Sequence, residues 1–330
     1  MARAKGSSAS RGVLMKFAGK TAVITGGGAG IGRELVRQLV AEGCNVATCD
    51  VFPEGMAETK RLSQLERPHE AVRITTHIAD VSVEDQLKRF RQEVAEQHDT
   101  DHIHLLFNNA GVSGGGSLFT SGREDWERTF NICWGGVYLG VRTFLPLLMK
   151  AEEGHIINTS SVAGFWGTSA GRNASHTAYV TAKHAVKGFT EALINDLRLN
   201  APHIKCSVVM PGYIGTEIVR NSRKVQSGAD RLMDDEVARL RTAGVQIDNM
   251  SPDELRIFSA ERAQKFVDDA PNTAEQAAKM ILEGVRARKW RIFAGADAQK
   301  IDELIRRDPE SAYTADFYKK VAEEVGWVVW

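Results

Sequence analysis

The chain has 330 residues, 42 basic and 42 acidic side chains, and 43% hydrophobic residues. This length is ample for a buried core, and the composition is ordinary for a globular protein. A net charge of zero gives no basic excess that would favour nucleic acid or anionic lipid, and the sequence has no apolar run long enough to span a bilayer. The four cysteines lack the spacing of metal ligands, so we predict no metal site.

The first residues of the chain are small, basic and polar, and they lack the apolar stretch of a signal peptide. We therefore expect residues 1–16 to form a disordered head. We also expect a cytoplasmic location, in which the cysteines are reduced.

A strand-like run over residues 21–25 opens into a glycine-rich turn, and a helical pattern begins at Arg33. Glycine permits a positive φ and lets the backbone approach a phosphate closely. The N-terminus of a helix offers free N–H groups and a positive dipole end to a pyrophosphate. The turn, Gly26-x-x-x-Gly30-Ile31-Gly32, therefore predicts a dinucleotide site, although its spacing differs from the commonest fingerprint.

Strand and helix patterns alternate along most of the chain. This alternation predicts a single-domain α/β fold, a doubly wound Rossmann-type sheet of seven mostly parallel strands with helices on both faces. The strands are placed near residues 20–25, 45–50, 72–78, 103–108, 154–159, 204–209 and 291–294. The helices are placed near residues 30–42, 82–98, 123–150, 176–200 and 274–287.

Asp50 ends the second predicted strand, about twenty residues beyond the glycine turn, where an acid can accept hydrogen bonds from ribose hydroxyls. A carboxylate at this position also repels the additional phosphate of NADP. The neighbouring Ala29 and Val51 are not basic, so nothing nearby is expected to offset that repulsion. We therefore predict NAD as the cofactor.

Tyr179 and Lys183 are four residues apart and lie on the same face of a predicted helix. A nearby ammonium lowers the pKa of a phenol, so we expect Lys183 to make Tyr179 usable as a general acid or base near neutral pH. Tyr-x-x-x-Lys alone is too short to exclude a chance pair on a solvated helix. The glycine turn upstream supports the functional interpretation.

Six motifs, which extend over roughly residues 17–300, resemble the short-chain dehydrogenase/reductase family in their types and order. They are Thr25-Gly26-x-x-x-Gly30-Ile31-Gly32, Asp80-Val81, Asn108-Asn109-Ala110-Gly111, Ser160-Ser161, Tyr179-x-x-x-Lys183 and Pro211-Gly212-x-x-x-Thr216. Each motif is weak alone, but six in order are specific. The resemblance implies an NAD-dependent oxidoreductase that interconverts a secondary alcohol and a ketone.

The resemblance assigns the catalytic roles to three side chains. Tyr179 is the general acid or base, Lys183 assists it and binds the nicotinamide ribose, and Ser161 orients the substrate oxygen. The cofactor-binding set implied in the same way is Gly26, Gly30, Ile31, Gly32, Asp50, Asp80, Val81, Asn108, Ala110, Gly111, Tyr179, Lys183, Pro211, Gly212, Ile214 and Thr216.

The sequence departs from the family pattern at two places. Cys133 stands where the family usually has a catalytic asparagine, which acts largely through its backbone carbonyl. A carbonyl survives any substitution, so we expect the proton relay to persist, whereas the alternative is a plain buried hydrophobe. The second departure is an insertion over residues 167–176, between Ser161 and Tyr179. It is either a substrate-recognition loop or a solvent-exposed loop.

Two further segments are interpreted by the resemblance and by their apolar content. Residues 217–272 correspond to the substrate lid, which covers a bulky apolar substrate or packs on the core or on a neighbouring subunit. Residues 301–330 carry too many aromatic side chains for a solvated end, so we expect this tail to dock on its own or a neighbouring subunit. The helices near 123–150 and 176–200 are the surfaces through which the family forms tetramers or dimers.

Two other functions are compatible with the same fold. One is a catalytically silent dinucleotide-binding regulator, and the other is an epimerase or dehydratase. The presence of Ser161, Tyr179 and Lys183 argues against the first, and the glycine spacing argues against the second. The sequence contains no motif that identifies the substrate or the physiological direction of the reaction.

Overall fold

A computed structural model describes residues 14–114, 116–169, 175–228, 232, 236–237, 240–241 and 244–327. The strands are β1 (Thr21–Thr25), β2 (Asn45–Asp50), β3 (Ile74–Ile78), β4 (Leu105–Asn108), β5 (Gly154–Thr159), β6 (Ile204–Pro211), β7 (Ile214–Gly215), β8 (Asn272–Thr273) and β9 (Arg291–Ala294). The helices are α1 (Gly30–Ala41), α2 (Pro53–Glu66), α3 (Glu84–His98), α4 (Arg123–Phe130), α5 (Gly136–Leu148), α6 (Thr177–Asn200), α7 (Ile218–Ser227), α8 (Pro252–Asp268), α9 (Ala274–Arg286), α10 (Ala296–Arg307) and α11 (Ala315–Val325).

Seven strands form one parallel sheet in the order β3-β2-β1-β4-β5-β6-β9, which confirms the predicted fold class. The order reverses between β1 and β4. In sheets of this kind, ligands bind in the crevice at that point, outside the carboxyl ends of the strands. The short strands β7 and β8 pair separately and connect the loop after β6 to the start of α9.

The central strands are apolar on both faces because helices cover both sides of the sheet. All five residues of β1 are buried. One core lies between the sheet and helices α1 and α9, and the other lies between the sheet and helices α3, α5 and α6. Among the described residues, no helix is both long and apolar enough to cross a membrane.

Helices α2, α7, α8, α10 and α11 lie outside the five predicted helical ranges, and one predicted helix is divided. Helix α2 is not predicted, because only Met56, Thr59 and Ser63 are buried along it and its apolar periodicity is weak. The helix predicted over 123–150 is divided into α4, a π-helical turn (Asn131–Gly135) and α5. This turn carries Cys133.

The boundaries predicted for the head and for the tail both fall within packed segments of the described residues. Residues 1–13 of the predicted head lie outside the described residues. Met15 is 4% exposed and its N–H donates to the Arg286 carbonyl at 3.0 Å, so the packed chain begins at or before Met15 and not at residue 17. The predicted boundary at residue 300 falls inside α10, because the tail begins as a helix directly after β9.

Candidate active site

A cavity of about 510 Å³ lies at the carboxyl ends of the central strands. It extends from the glycine turn at Gly30, past Lys183 and Tyr179, to Phe266 of α8 and Trp327 beyond α11. The predicted dinucleotide turn and the predicted Tyr–Lys pair therefore face one continuous space.

The glycine turn has a shape that other residues would not permit. Gly26 and Gly30 have φ of +71° and +52°, in the left-handed region. A β-carbon at Gly26 would lie 2.7 Å from the Ala110 Cα, and one at Gly32 would collide with the Gly26 carbonyl. No side chain caps the first turn of α1, and that turn contains no acidic residue. Its N–H groups therefore fit the pyrophosphate of a dinucleotide.

Asp50 is tied to the glycine turn by hydrogen bonds. Its carboxylate accepts the N–H groups of Gly28 at 2.9 Å, Val51 at 2.7 Å and Phe52 at 3.2 Å. Burial raises the pKa of the Asp50 carboxyl, and the hydrogen bonds from these three amides oppose that rise. The acid is therefore held in place before any ribose binds.

The expectation that no base lies near Asp50 is wrong. Arg33, in the first turn of α1, donates to the Gly28 carbonyl, and the N–H of the same Gly28 bonds to Asp50. The Arg33 guanidinium also donates to Thr59 Oγ1 at 3.0 Å and contributes to lowering the pKa of Asp50. The sequence prediction takes account only of the residues next to Asp50 and next to Gly30. It misses Arg33 because the first turn of α1 brings this residue back towards Asp50.

Several predicted cofactor residues lie outside this cavity. Asp80 accepts from the backbone and hydroxyl of Ser82 at 2.9 and 2.7 Å, and Val81 is buried. Asn108 is 1% exposed and donates to Asn158 Oδ1 at 2.8 Å, so its side chain joins β4 to β5 and does not face the cavity. The predicted residues that line the cavity are Gly30, Ile31, Gly32, Ala110, Gly111, Ser161, Tyr179, Lys183, Pro211, Gly212, Ile214 and Thr216.

Tyr179 and Lys183 occupy successive turns of α6 at the cavity wall. The Lys183 Nζ lies 5.5 Å from the centre of the Tyr179 ring and donates to the Thr159 carbonyl at 2.9 Å. Lys183 is only 3% exposed, and it lines the cavity. The geometry places a buried positive charge beside the phenol, as the i,i+4 spacing predicted.

The two serines at the end of β5 have different partners. Ser160 Oγ donates to the Lys183 carbonyl at 2.7 Å and thereby joins α6 to the strand. Ser161 lines the cavity, and its Oγ accepts the Ala163 N–H at 3.1 Å. That hydrogen bond uses a lone pair of Ser161 and leaves its O–H group able to donate to a ligand.

Cys133 lies close to Lys183, beside Gly111. A side chain added at Gly111 would meet Lys183 Nζ at 3.5 Å and Cys133 Sγ at 3.6 Å. The thiol is fully buried, donates to the Val112 carbonyl at 3.2 Å and accepts the Val112 N–H at 3.5 Å. It therefore does more than fill space, because it binds both backbone groups of the residue that follows Gly111.

Residues 20–227 match the model of the short chain dehydrogenase family. The chain belongs to this family. A relative from Mycobacterium tuberculosis, SadH, is 31% identical over 295 residues, which cover 89% of this chain and 92% of SadH.

Two solved structures show the same architecture. A short chain dehydrogenase/reductase from Burkholderia phymatum in complex with NAD has a TM-score of 0.72 and 28% identity, and the match covers 91% of this chain and 98% of that one. A short chain dehydrogenase from Burkholderia cenocepacia J2315 in complex with NADP has a TM-score of 0.62 and 20% identity, with 90% and 97% covered. The protein is thus an oxidoreductase that acts on a CH–OH group with NAD or NADP.

In this short-chain dehydrogenase a buried arginine joins segments that line the cavity. Arg223 of α7 is 2% exposed and makes a bidentate pair with Glu236 at 2.7 and 3.0 Å. It also donates to the Ser259 carbonyl and hydroxyl at 2.9 and 2.8 Å, which joins α7 to α8. Charge-assisted forks of this kind are among the strongest hydrogen bonds in proteins, so α7, Glu236 and α8 are firmly joined to each other.

The insertion predicted over residues 167–176 has its centre, residues 170–174, outside the described residues. Its flanks Ser169 and His176 line the cavity, and the His176 ring lies 6.5 Å from the Tyr179 ring, centre to centre. In this short-chain dehydrogenase the flanks therefore face the same space as Tyr179.

Proposed function

We propose that this short-chain dehydrogenase interconverts a secondary alcohol and a ketone with NAD as cofactor. The observation that carries the proposal is the shared cavity. It places Tyr179, Lys183 and Ser161 in one space with the glycine turn of α1.

Tyr179 takes the hydroxyl proton of the alcohol during oxidation and returns it during reduction. The Lys183 ammonium stabilises the phenolate by charge attraction, and Ser161 donates a hydrogen bond to the substrate oxygen. A bound NAD would supply the hydride acceptor, with Gly30–Gly32 at its pyrophosphate and Ile214 and Thr216 at its carboxamide.

NAD is favoured over NADP by Asp50. Asp50 is half-buried and its carboxylate is fixed by three amides, so it cannot turn away from an incoming 2′-phosphate without breaking those bonds. The Arg33 guanidinium already donates to Gly28 and Thr59. We therefore assign Arg33 to bracing the turn and Asp50 to repelling the phosphate.

The proposed function is tested by measuring the reduction of NAD, and in parallel of NADP, when the protein is supplied with each of a panel of aliphatic, cyclic and aromatic secondary alcohols. The reverse reaction is followed with the matching ketones. Turnover with NAD that exceeds turnover with NADP supports the proposal. Tight binding of NAD without turnover of any alcohol or ketone would instead favour the silent regulatory protein.

We also propose that the protein assembles into a homodimer or tetramer through α5 and α6. Their outer faces carry partly exposed apolar side chains, among them Tyr138, Ile194 and Leu199. Light scattering at micromolar concentration tests the assembly, and a monomeric mass would contradict it.

A further inference from the structure

The tail of the chain is anchored beside the catalytic serine. The side chain of Trp166, which follows the turn after Ser161, is fully buried and donates its indole N–H to the Ala312 carbonyl at 2.9 Å. Its ring contacts Phe317 of α11 at 5.5 Å and stacks on Trp327 at 6.3 Å with an interplanar angle of 22°. The tail is therefore packed on its own chain, next to the active site.

The anchored tail brings Trp327 to the wall of the cavity. There it meets Tyr213, whose ring lies 6.5 Å from Trp327 and 4.9 Å from Phe266. The Tyr213 hydroxyl donates to the Phe266 carbonyl at 2.9 Å, so its polar end is bonded within the protein. These three residues, the aromatic wall, come from the loop after β6, from the lid and from the tail.

A buried acid at the start of α10, just before the tail, fixes the Tyr213 backbone. Asp297 of α10 is 7% exposed and accepts the Tyr213 N–H at 2.7 Å. A side chain at Gly212 or at Gly295 would collide with the Asp297 carboxylate. The position of Tyr213 is therefore determined by α10 as well as by the lid.

We propose that Trp327 is a specificity-determining residue. With Tyr213 and Phe266 it selects substrates that carry an aromatic or bulky aliphatic group on the carbinol carbon. This inference rests on the proposed function and names the substrate class that the cavity accepts. Burial of an apolar group against fixed rings releases water and adds ring contacts, which favours such substrates over small alcohols.

The test compares Trp327→Ala with Trp327→Phe and with the control Trp290→Ala, whose side chain is 44% exposed and lies away from the cavity. The probes are 1-phenylethanol and 2-propanol, each oxidised with NAD. For Trp327→Ala we expect the ratio of kcat/KM between the two alcohols to fall about tenfold, mainly through KM for 1-phenylethanol. Trp327→Phe should retain most of the ratio, and the control should leave it unchanged.

A second readout does not depend on turnover. The Kd of acetophenone for the protein loaded with oxidised NAD, in which the ketone has no hydride to accept, is measured by saturation-transfer NMR, and we expect it to rise about tenfold in Trp327→Ala. An unchanged ratio together with an unchanged Kd would overturn the role of Trp327, and so would failure of the wild type to bind acetophenone. If acetophenone binds more weakly to Trp327→Ala but the wild type turns over no alcohol, the result would support the role of the aromatic wall and contradict the proposed reaction.

A further variant distinguishes a disordered tail from the loss of the Trp327 side chain alone. A disordered tail would lower kcat/KM for both alcohols and reduce Tm. If Trp327→Ala shows both losses, the same two readouts are measured on Trp327→Leu. This variant keeps an apolar side chain packed on Trp166. A Leu variant with wild-type selectivity and wild-type Kd would overturn the proposal.

Discussion

The cofactor half and the substrate half of the cavity are built in different ways. The cofactor half is made by backbone, in a turn of consecutive glycines between β1 and α1. The substrate half is made by side chains such as Tyr213, Phe266 and Trp327, which lie far apart in the sequence. A site built from backbone leaves a compact motif, whereas a site built from distant side chains leaves none.

The largest effect is expected from substituting Tyr179, which lies between the cofactor half and the substrate half of the cavity. Tyr179→Phe removes the proton acceptor and keeps the ring, so turnover should fall by about a hundredfold or more while NAD binding stays nearly unchanged. Steady-state kinetics and NAD titration measure the two quantities. Tyr313→Phe, at a tyrosine that is 63% exposed and does not line the cavity, is the matched control, and wild-type turnover in the Tyr179 variant would refute the assignment.

Acid should destabilise the sheet that supports the cofactor half. Burial lowers the pKa of His98 to about 4, and His98 Nε2 bonds Thr75 of β3 at 2.9 Å. Because the unfolded chain binds this proton more tightly, stability is complete above about pH 6.5 and falls as the pH drops towards 4. At pH 5 the loss is on the order of 1–2 kcal/mol.

Denaturant unfolding at several pH values measures this loss, and His98→Gln should make the dependence shallower between pH 6.5 and 4. His69, an exposed histidine with no such burial, provides the control His69→Gln. An equal pH dependence in wild type and in His98→Gln would show that His98 is not responsible.

The preference for NAD over NADP tests the cofactor half of the cavity directly. Asp50→Ala removes the carboxylate that repels a 2′-phosphate, so the preference for NAD over NADP should fall about tenfold. Arg33→Ala is the companion variant. It should weaken both cofactors alike if Arg33 braces the turn, and a selective loss of NADP would assign the arginine to the phosphate. Kd values for both cofactors provide the measurement.

The smallest effect is expected at Cys133. If this position acts through its backbone carbonyl, Cys133→Asn should change turnover only a few-fold, about 1 kcal/mol or less in activation free energy. The larger amide replaces a thiol bonded to Val112, so the free energy of unfolding should fall by about 1–3 kcal/mol. Cys133→Ser is the control of similar size. A tenfold gain in turnover at unchanged Tm would show that the wild type lacks a functional amide.

The sequence by itself determined the features that depend on neighbouring residues. Alternating strand and helix patterns predict the parallel sheet, the glycines predict the turn, and i,i+4 spacing places Tyr179 beside Lys183. These follow from backbone geometry over a few residues, so a short stretch contains all the information they need.

Only the tertiary structure decided which distant groups meet. It brings Asp50 to the glycine turn, turns Asn108 away from the cavity, bonds Cys133 to Val112 and places Trp327 at the cavity wall. Each outcome depends on how whole helices pack on the sheet. That packing is set by the sum of many contacts, and no local pattern around any one of these residues encodes it.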